Sequence, residues 1–335
     1  MAPEHQDDRP VGTEAVFDLA DFRLESGQTL ARLRIAHVVY GRMNAARDNV
    51  ILIMPGTSNT RLSVYESIGP GRAFDTDRFC VVSSDAIGGG ASTQPGDGLG
   101  AAFPEYGIRD MVRAQVALVR DGLGLGATPL AALAGASMGA FQALEWAIHH
   151  PATLRAAILQ VPAVRAGQVI RQTTRRMREM IELDPKWQGG RYTEQPLDGL
   201  RLAGRHYHAW TVTDAYLEAQ GEAVEAEAIG VGERFAQWDA WSLIRRYQAS
   251  SRHDVALPFG GDLRQALARI TAPLLVLPCL QDRLLGLEGA RQIAEGVPGA
   301  RCEVIDSLRG HMAWRPVPGS PETQFMTRHI RDFIG

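Results

Sequence analysis

The stretch "LAGASMGAFQALEWAIHHP", residues 133–151, joins a short apolar run to a helix-forming segment through Gly135-Ala136-Ser137-Met138-Gly139. The glycines let the backbone make a tight strand-to-helix turn and leave room for neighbouring backbone to pack closely. Such a turn exposes the Ser137 hydroxyl above a sheet, beside the N-terminus of the next helix, where free N–H groups and the helix dipole favour negative charge. The pattern predicts a nucleophilic serine.

The segments around this turn alternate between strand and helix patterns. "NVILIMPG", "RFCVVSSDA" and "PLAALAGAS" are nearly continuous apolar runs, typical of strands that are covered on both faces. "IRDMVRAQVALVRDGLG" has helical periodicity and ends in glycine. This order implies right-handed crossovers and a mostly parallel sheet, so the predicted fold class is α/β. Residues 14–47 alternate apolar and polar positions, which predicts a leading antiparallel hairpin.

The predicted organisation is a core with one insertion. Residues 165–265 contain helical segments such as "VIRQTTRRMREMIEL" and "WDAWSLIRRYQASS" and no convincing buried strand. The strand pattern resumes with "APLLVLPCL" and "RCEVIDS". We therefore expect a loose tail at 1–13, a core at 14–164 and 266–335, and a helical cap at 165–265.

Composition excludes several classes of function. The chain has 45% hydrophobic and 22% charged residues, and 35 Lys and Arg against 38 Asp and Glu give a net charge of -3 without a dominant block. Neither a nucleic-acid nor a membrane partner is indicated, and a small-molecule substrate is expected. The three cysteines match no zinc spacing, so we interpret them as reduced thiols of interior strands in a cytoplasmic protein without a metal site.

A serine hydroxyl becomes nucleophilic only when a base takes its proton and an acid orients that base. Asp282 directly follows the predicted strand "APLLVLPCLQ", and His311 lies in the loop "LRGHMAW" after the last predicted strand. The order Ser, Asp, His along the chain is that of the α/β-hydrolase fold. The predicted triad is therefore Ser137, Asp282 and His311; Asp306 is a less favoured acid because it lies near the end of the preceding strand.

Acyl transfer also needs hydrogen-bond donors for the oxyanion. The backbone N–H of Met138 is expected to be one donor, and Thr57, with Gly56 beside it, is the candidate for the other. His206 and His208 lack acidic or thiol partners at metal-binding spacing, so we interpret them as helix-surface residues.

The sequence resembles the homoserine O-acetyltransferases of the α/β-hydrolase fold over most of residues 35–315. The matching stretches are "YGRMNAARDNVIL", "IGPGRAFDTDRFCVVSSDAIGG", "IRDMVRAQ", "GASMGAFQALEWA", "LDPKWQGGRY" and "GHMAW". The resemblance implies the same fold, the same triad, a helical cap and a homodimer formed through that cap. The number of aromatic residues in the cap supports the expected dimer, because we expect a single cap to be too small to bury them all. These residues include Trp238, Trp241 and Tyr247.

The sequence departs from that family around the expected acceptor pocket, for which Gly56, Met312, Trp241 and Arg205 are candidates. The family typically has aspartate after the catalytic histidine, where this chain has Met312. It also usually has arginine in a "GLxxAR" run, where "GLRLAG" places Gly204 and then Arg205. Because these changes remove charged anchors, we expect negligible transfer to homoserine and a less charged, more apolar acceptor or ester.

Three functions remain open at this point. A hydrolase of a small ester or thioester is favoured over an acetyl-CoA-dependent O-acetyltransferase that acts on another alcohol, and a non-catalytic binding protein is disfavoured by the complete triad. No cofactor is expected, and acetyl-CoA would be a co-substrate. A solvated helix face is favoured over a CoA phosphate site for five cap arginines, Arg165, Arg171, Arg175, Arg176 and Arg178.

Overall fold

A computed structural model describes residues 10–335, so most of the predicted tail at 1–13 lies outside the described range. Within it, one eight-stranded sheet has the order β1-β2-β4-β3-β5-β6-β7-β8. The strands are β1 (Thr13–Arg23), β2 (Thr29–Tyr40), β3 (Val50–Met54), β4 (Cys80–Ser84), β5 (Ala132–Ala136), β6 (Ala157–Gln160), β7 (Leu274–Leu277) and β8 (Arg301–Cys302). Strands β1 and β2 form an antiparallel hairpin, β2 runs antiparallel to β4, and the remaining pairs are parallel.

The structure confirms the predicted α/β class, the mostly parallel sheet and the leading hairpin. Strand β6 was absent from the sequence prediction, because its four residues follow a helix and a turn closely and give too short an apolar run. Strand β8 spans only two residues, and Cys302 in it is exposed, which corrects the expectation of an interior thiol.

Ten α-helices are present in residues 10–335. They are α1 (Ile108–Ala117), α2 (Met138–His149), α3 (Gln168–Glu182), α4 (Leu197–Thr211), α5 (Asp214–Gln220), α6 (Ala223–Ala236), α7 (Ala240–Ser251), α8 (Leu263–Leu267), α9 (Glu288–Gly296) and α10 (Pro321–Ile334). Helix α2 is buried from Met138 to Ile148 and packs against β3, β5 and β6. This burial explains its continuous apolar sequence and fixes the position of the residue before it, Ser137.

Helices α3 to α7 lie between β6 and β7, in the segment for which the sequence predicts a cap. They share an apolar core that includes Trp187, Tyr207, Phe235, Trp241 and Tyr247. Trp241 is 8% exposed and Tyr247 is 2% exposed, so the cap itself buries both rings. These two rings therefore give no argument for a dimer interface.

The close approach of α4 and α6 depends on two glycines. A Cβ atom built at Gly204 would lie 2.8 Å from the Gly232 Cα and 2.9 Å from the Val231 carbonyl oxygen. Carbon atoms without a bond between them do not approach so closely, so a side chain at position 204 would push the helices apart. Gly204 is thus a packing residue, and the arginine typical of the family does not fit there with this helix spacing.

Candidate active site

Ser137 occupies a sharp turn between β5 and α2. Its φ of 56° and ψ of -122° are rare for a residue with a side chain, and such strain is common at functional sites. The flanking glycines are required by space: a Cβ at Gly135 would lie 2.3 Å from the Gly139 carbonyl carbon, and one at Gly139 would lie 2.3 Å from the Met54 carbonyl oxygen. The turn is therefore packed against both its own helix and the end of β3.

The structure brings the three predicted triad side chains together. The His311 Nε2 atom lies 3.0 Å from the Ser137 Oγ, and the His311 Nδ1 atom lies 2.8 Å from Asp282 Oδ2. The other Asp282 oxygen, Oδ1, accepts backbone hydrogen bonds from Leu284 at 2.8 Å and Leu285 at 3.0 Å. With the carboxylate fixed, Nδ1 is the donor to Asp282, and Nε2 is free to accept the serine proton.

Asp306, the less favoured acid, lies elsewhere. It is exposed, and its Oδ1 accepts a hydrogen bond from Gln281 Nε2 at 3.3 Å. The side chains of His311 and Asp282 are by contrast only 1% and 2% exposed. A hydrogen bond to a carboxylate in such a dry environment is strong enough to hold the imidazole in one orientation.

Two backbone N–H groups, those of Met138 and Thr57, are the expected donors to an oxyanion. Met138 is the first residue of α2, so its N–H has no acceptor within the helix. Thr57 lies in the loop after β3, its side-chain hydroxyl lies 3.2 Å from the Ser250 Oγ, and it lines the same cavity as Ser137. In residues 10–335 neither N–H has an acceptor in the chain, so both can donate to a ligand.

The loop that carries Thr57 is held by a residue that sequence reasoning missed. Arg246 of α7 is fully buried, and its Nε donates to the Thr57 carbonyl at 2.8 Å. Its Nη2 donates to the carbonyls of Gly56 at 2.8 Å and Asn59 at 3.2 Å. Burial lowers the pKa of this guanidinium, whose partners are backbone oxygens. An arginine inside a predicted cap helix gives no sequence signal that it reaches the core.

A second missed residue joins this loop to the helix after Ser137. Gln142 of α2 is fully buried, and its Nε2 donates to the Pro55 carbonyl at 3.0 Å. Its Oε1 accepts a hydrogen bond from Gln115 of α1 at 3.2 Å. The positions of the Met138 and Thr57 N–H groups relative to each other are therefore fixed by side-chain hydrogen bonds as well as by the sheet.

A cavity of about 680 Å³ lies between core and cap, within the range of pockets that bind small molecules. Ser137 and His311 line it from the core. The other lining residues include Thr57, Ser58, Asn59, Tyr207, His208, Thr211, Tyr216, Glu227, Val231, Arg234, Phe235, Trp238, Arg309, Met312, Trp314 and Arg315.

The structure corrects three of the four predicted pocket residues. Met312 lines the cavity, but Trp241, Arg205 and Gly56 do not. Trp241 packs on Trp187 with ring centroids 4.9 Å apart and donates from Nε1 to the Gly190 carbonyl. Arg205 points to Glu225 at 3.7 Å on the outside of the cap. The errors at Trp241 and Arg205 arose because the face that a cap helix turns to the core is set by packing between helices. Gly56 instead presents its carbonyl to Arg246.

His208 is also corrected: it is 6% exposed and lines the cavity, whereas a surface position was expected. Its Nε2 lies 3.4 Å from Glu227 Oε2, and the Tyr216 hydroxyl lies 3.0 Å from both oxygens of the same carboxylate. Burial lowers the pKa of His208 although the charge of Glu227 opposes this effect. His206, on the same helix, is half-buried and does not line the cavity.

The five cap arginines considered for a CoA site do not line this cavity. Arg176 pairs with Glu179 at 2.6 Å and Arg178 with Glu182 at 2.7 Å along α3. Such pairs are typical of a solvated helix face.

Residues 10–335 contain no group of three or more His, Cys, Asp or Glu side chains placed to hold a metal ion. No helix among them has both the length and the apolar character needed to cross a bilayer.

Comparison with known proteins places this site in a family. Residues 49–313 match the family described as alpha/beta hydrolase fold. The homoserine O-acetyltransferase of Mycobacterium ulcerans is 32% identical to this chain over 342 aligned positions, which cover 90% of this chain and 89% of the relative.

Solved structures of two kinds resemble the chain. An acetylester hydrolase from Corynebacterium glutamicum superposes with a TM-score of 0.90 at 25% identity and 96% coverage of both chains. The homoserine O-acetyltransferase of Bacillus anthracis superposes with a TM-score of 0.85 at 26% identity, covering 97% of this chain and 98% of the other. The chain therefore belongs to the homoserine O-acetyltransferase-like family of α/β-hydrolase-fold enzymes.

Proposed function

We propose that the protein is a serine esterase that hydrolyses a small acyl ester or thioester through an acyl intermediate on Ser137. The observation that carries the proposal is the pair of contacts of His311, which lies 3.0 Å from the Ser137 Oγ and 2.8 Å from Asp282. Ser137, Asp282 and His311 act as the catalytic triad. The reaction needs no cofactor, because side chains and backbone N–H groups of this chain supply every step.

In the first half of the reaction, the Ser137 Oγ attacks the ester carbonyl while His311 Nε2 takes its proton. The N–H groups of Met138 and Thr57 stabilise the oxyanion of the tetrahedral intermediate. His311 then gives the proton to the departing alcohol or thiol, and the C–O or C–S bond breaks. In the second half, water attacks the acyl-serine, His311 accepts its proton, and the acid leaves as the Ser137 hydroxyl is restored.

Hydrolysis is preferred to transfer to homoserine because the cavity lacks the anchors that the family resemblance associates with homoserine. Met312 follows His311 and lines the cavity, and it offers no anion to an ammonium group. Gly204 is packed against Gly232 and offers no cation to a carboxylate. An ion without a partner in a cavity costs several kcal/mol, so homoserine is not held in the pose that the family resemblance implies.

The alternative is an acetyl-CoA-dependent O-acetyltransferase that acts on an alcohol other than homoserine. It is supported by the 32% identity with homoserine O-acetyltransferases. Both functions use the same triad, and they differ in whether water or an alcohol removes the acyl group.

The experiment follows two products. The protein is incubated with 4-nitrophenyl acetate and, separately, with acetyl-CoA, with and without L-homoserine, and acetate and CoA are measured. We expect 4-nitrophenol and acetate to be released in equal amounts, and no saturable increase in CoA release with homoserine. Such an increase would contradict the proposal, whereas CoA release that depends on another alcohol would favour the alternative. A chain that turns over neither substrate leaves no support for a serine esterase.

We also propose that the protein is a cytoplasmic homodimer formed through the cap. Leu202 of α4 and Ile229 of α6 are 50% and 39% exposed and are available to a second copy. The three free cysteines agree with a reducing compartment. Light scattering at micromolar concentration should give twice the chain mass; a value of 36.5 kDa would contradict the dimer.

A further inference from the structure

Three arginines line the cavity that contains Ser137 and His311: Arg234 at the end of α6, and Arg309 and Arg315 on either side of His311 in the chain. We call them the cationic wall. The Arg309 Nη1 donates to the Arg315 carbonyl at 3.2 Å, so the two residues that flank His311 are held together. The wall is made by both core and cap. Its members lie 97 or more positions after Ser137 in the chain, so no local sequence pattern marks it.

The charges of this wall are poorly balanced. Arg309 and Arg315 are half-buried and Arg234 is exposed at the mouth of the cavity. Within the described chain no carboxylate lies within 4.0 Å of any of the three guanidinium groups, although most other half-buried arginines have such a partner. Both Arg234 and Arg315 line the cavity, and burial and then the charge of Arg315 lower the pKa of Arg234. An anion bound between two cations reduces the repulsion between them.

The acids nearby are engaged elsewhere. Glu227 lines the same cavity but bonds to Tyr216 and His208. Glu322 accepts a hydrogen bond from the Ser307 hydroxyl and feels the charge of Arg309. Arg234 and Arg315 therefore form the part of the wall without an acid.

We propose that Arg234 and Arg315, with Arg309 beside them, bind an anionic group of the acyl substrate, a carboxylate or a phosphate, while its carbonyl lies at Ser137. The inference rests on the proposed function and names its substrate class. Guanidinium groups bind planar or tetrahedral oxyanions through paired, charge-assisted hydrogen bonds. The sequence indicated a less charged substrate because two family anchors are missing; the wall supplies a cationic anchor from other positions.

The test compares matched anionic and neutral esters. For the carboxylate source, 4-acetoxybenzoate is compared with 4-acetoxybenzamide; for the phosphate source, acetyl-CoA is compared with S-acetylpantetheine. We expect the wild type to prefer the anionic member of one pair by about 10- to 100-fold in kcat/KM. This is the effect expected from one or two charged hydrogen bonds. The pair that shows the preference identifies the source of the anion.

The variant Arg234→Gln with Arg315→Gln should remove this preference, by lowering kcat/KM for the anionic ester about 10- to 100-fold more than for its neutral partner. Its control is Arg176→Gln with Arg178→Gln, which removes two cap charges outside the cavity and should keep the preference. Thermal unfolding of both double variants checks that they are folded. Equal turnover of anionic and neutral esters by the wild type, or an unchanged preference in the wall variant, would overturn the inference.

A binding measurement separates this inference from the proposed function. Calorimetric titration of the Ser137→Ala variant with 4-acetoxybenzoate, 4-acetoxybenzamide, acetyl-CoA and S-acetylpantetheine does not require turnover. Tighter binding of an anionic ligand, lost in the added wall substitutions, supports the anion site even if no ester is hydrolysed. Binding that is equal within each pair contradicts the anion site even if neutral esters are hydrolysed.

Discussion

The cavity has two faces that differ in how their polar groups are satisfied. On the core face, Ser137, His311 and Asp282 form an unbroken chain of hydrogen bonds, and the carboxylate is held by two further backbone N–H groups. On the cap face, Arg234 lines the same space without a carboxylate partner in the described residues. A polar group whose hydrogen-bond partners all lie inside the protein is held in one position, as catalysis requires. A polar group that lacks a partner in the protein is available to bind a ligand.

This difference assigns reaction and selectivity to separate parts of the chain. The groups that act on the carbonyl are fixed by strand ends and by α2, and substitution there should change the rate of the chemical step. We expect Arg234 of the cap, together with Arg309 and Arg315 of the core, to contact the rest of the substrate, so substitution there should change which ester is used. The predictions below test this division, beginning with the largest effect.

Ser137→Ala should lower kcat by about 10⁴-fold or more, because no other group in the cavity replaces the nucleophile. The free energy of unfolding should change by less than about 1 kcal/mol, since the hydroxyl is outside the apolar core. A fluorophosphonate probe should label the wild type and Ser63→Ala, whose serine lines the cavity without contacting His311, but not Ser137→Ala. Equal labelling of all three proteins would disprove the assignment of the nucleophile.

Arg246→Met should lower kcat by about 10- to 100-fold and leave KM nearly unchanged, because the Thr57 donor acts mainly on the transition state. The carbonyls of Gly56, Thr57 and Asn59 would lose their donor, so the free energy of unfolding should also fall by about 2–4 kcal/mol. Steady-state kinetics well below the unfolding transition separate the two effects.

The control for this prediction is Arg245→Met, the neighbouring arginine on α7, which pairs with Glu105 at 3.1 Å. It should keep the wild-type kcat. If both variants lose kcat equally, or if Arg246→Met raises KM alone, Arg246 does not position the oxyanion loop.

Gly204→Ala should reduce the free energy of unfolding by about 1–3 kcal/mol, because the new methyl group meets the backbone of α6 at 2.8 Å. Gly230→Ala on α6 is the matched control: its methyl group meets only the Arg234 Nη1, at 3.7 Å. It should be neutral or stabilising by up to about 1 kcal/mol, since alanine favours a helix. Chemical denaturation measures both, and similar values for the two would show that α4 and α6 adjust freely.

The smallest effect concerns two histidines. His253 stacks on Phe141 of the core with centroids 4.1 Å apart, and His208 lines the cap face; burial lowers the pKa of each. The folded state thus keeps them neutral, while the unfolded chain takes up a proton near the ordinary histidine pKa of about 6.5. Stability should be lost as pH falls below that value, by at most about 1.4 kcal/mol per pH unit for each histidine, with no contribution above pH 7.

Free energies of unfolding measured between pH 7.5 and 5.5 test whether stability falls as the pH is lowered. His253→Gln should flatten the decline, and His208→Gln should flatten it less, because Glu227 partly offsets the burial of His208. A wild type whose stability is constant over this interval would contradict both expectations.

The core could be predicted from the sequence because its signals are local. Gly135 and Gly139 mark the turn within five residues, and Asp282 and His311 each follow an apolar run. The cap was predicted as helical, but its faces were not, since an amphipathic helix can direct an arginine to solvent, as with Arg205, or into the core, as with Arg246. That choice depends on contacts such as those of Gly204 with Gly232, which join positions far apart in the chain.

The bonds from Arg246 to the loop after β3 also define where caps can be exchanged between relatives. A graft that replaces α4 to α6 keeps the guanidinium in place, and with it the geometry that receives the oxyanion. A graft that continues through α7 removes a support of the catalytic loop, even though it touches no residue of the triad. The part of the cavity wall that α4 to α6 supply, including Arg234, can therefore be exchanged as a module that ends before Ala240, and α7 is best inherited with the core.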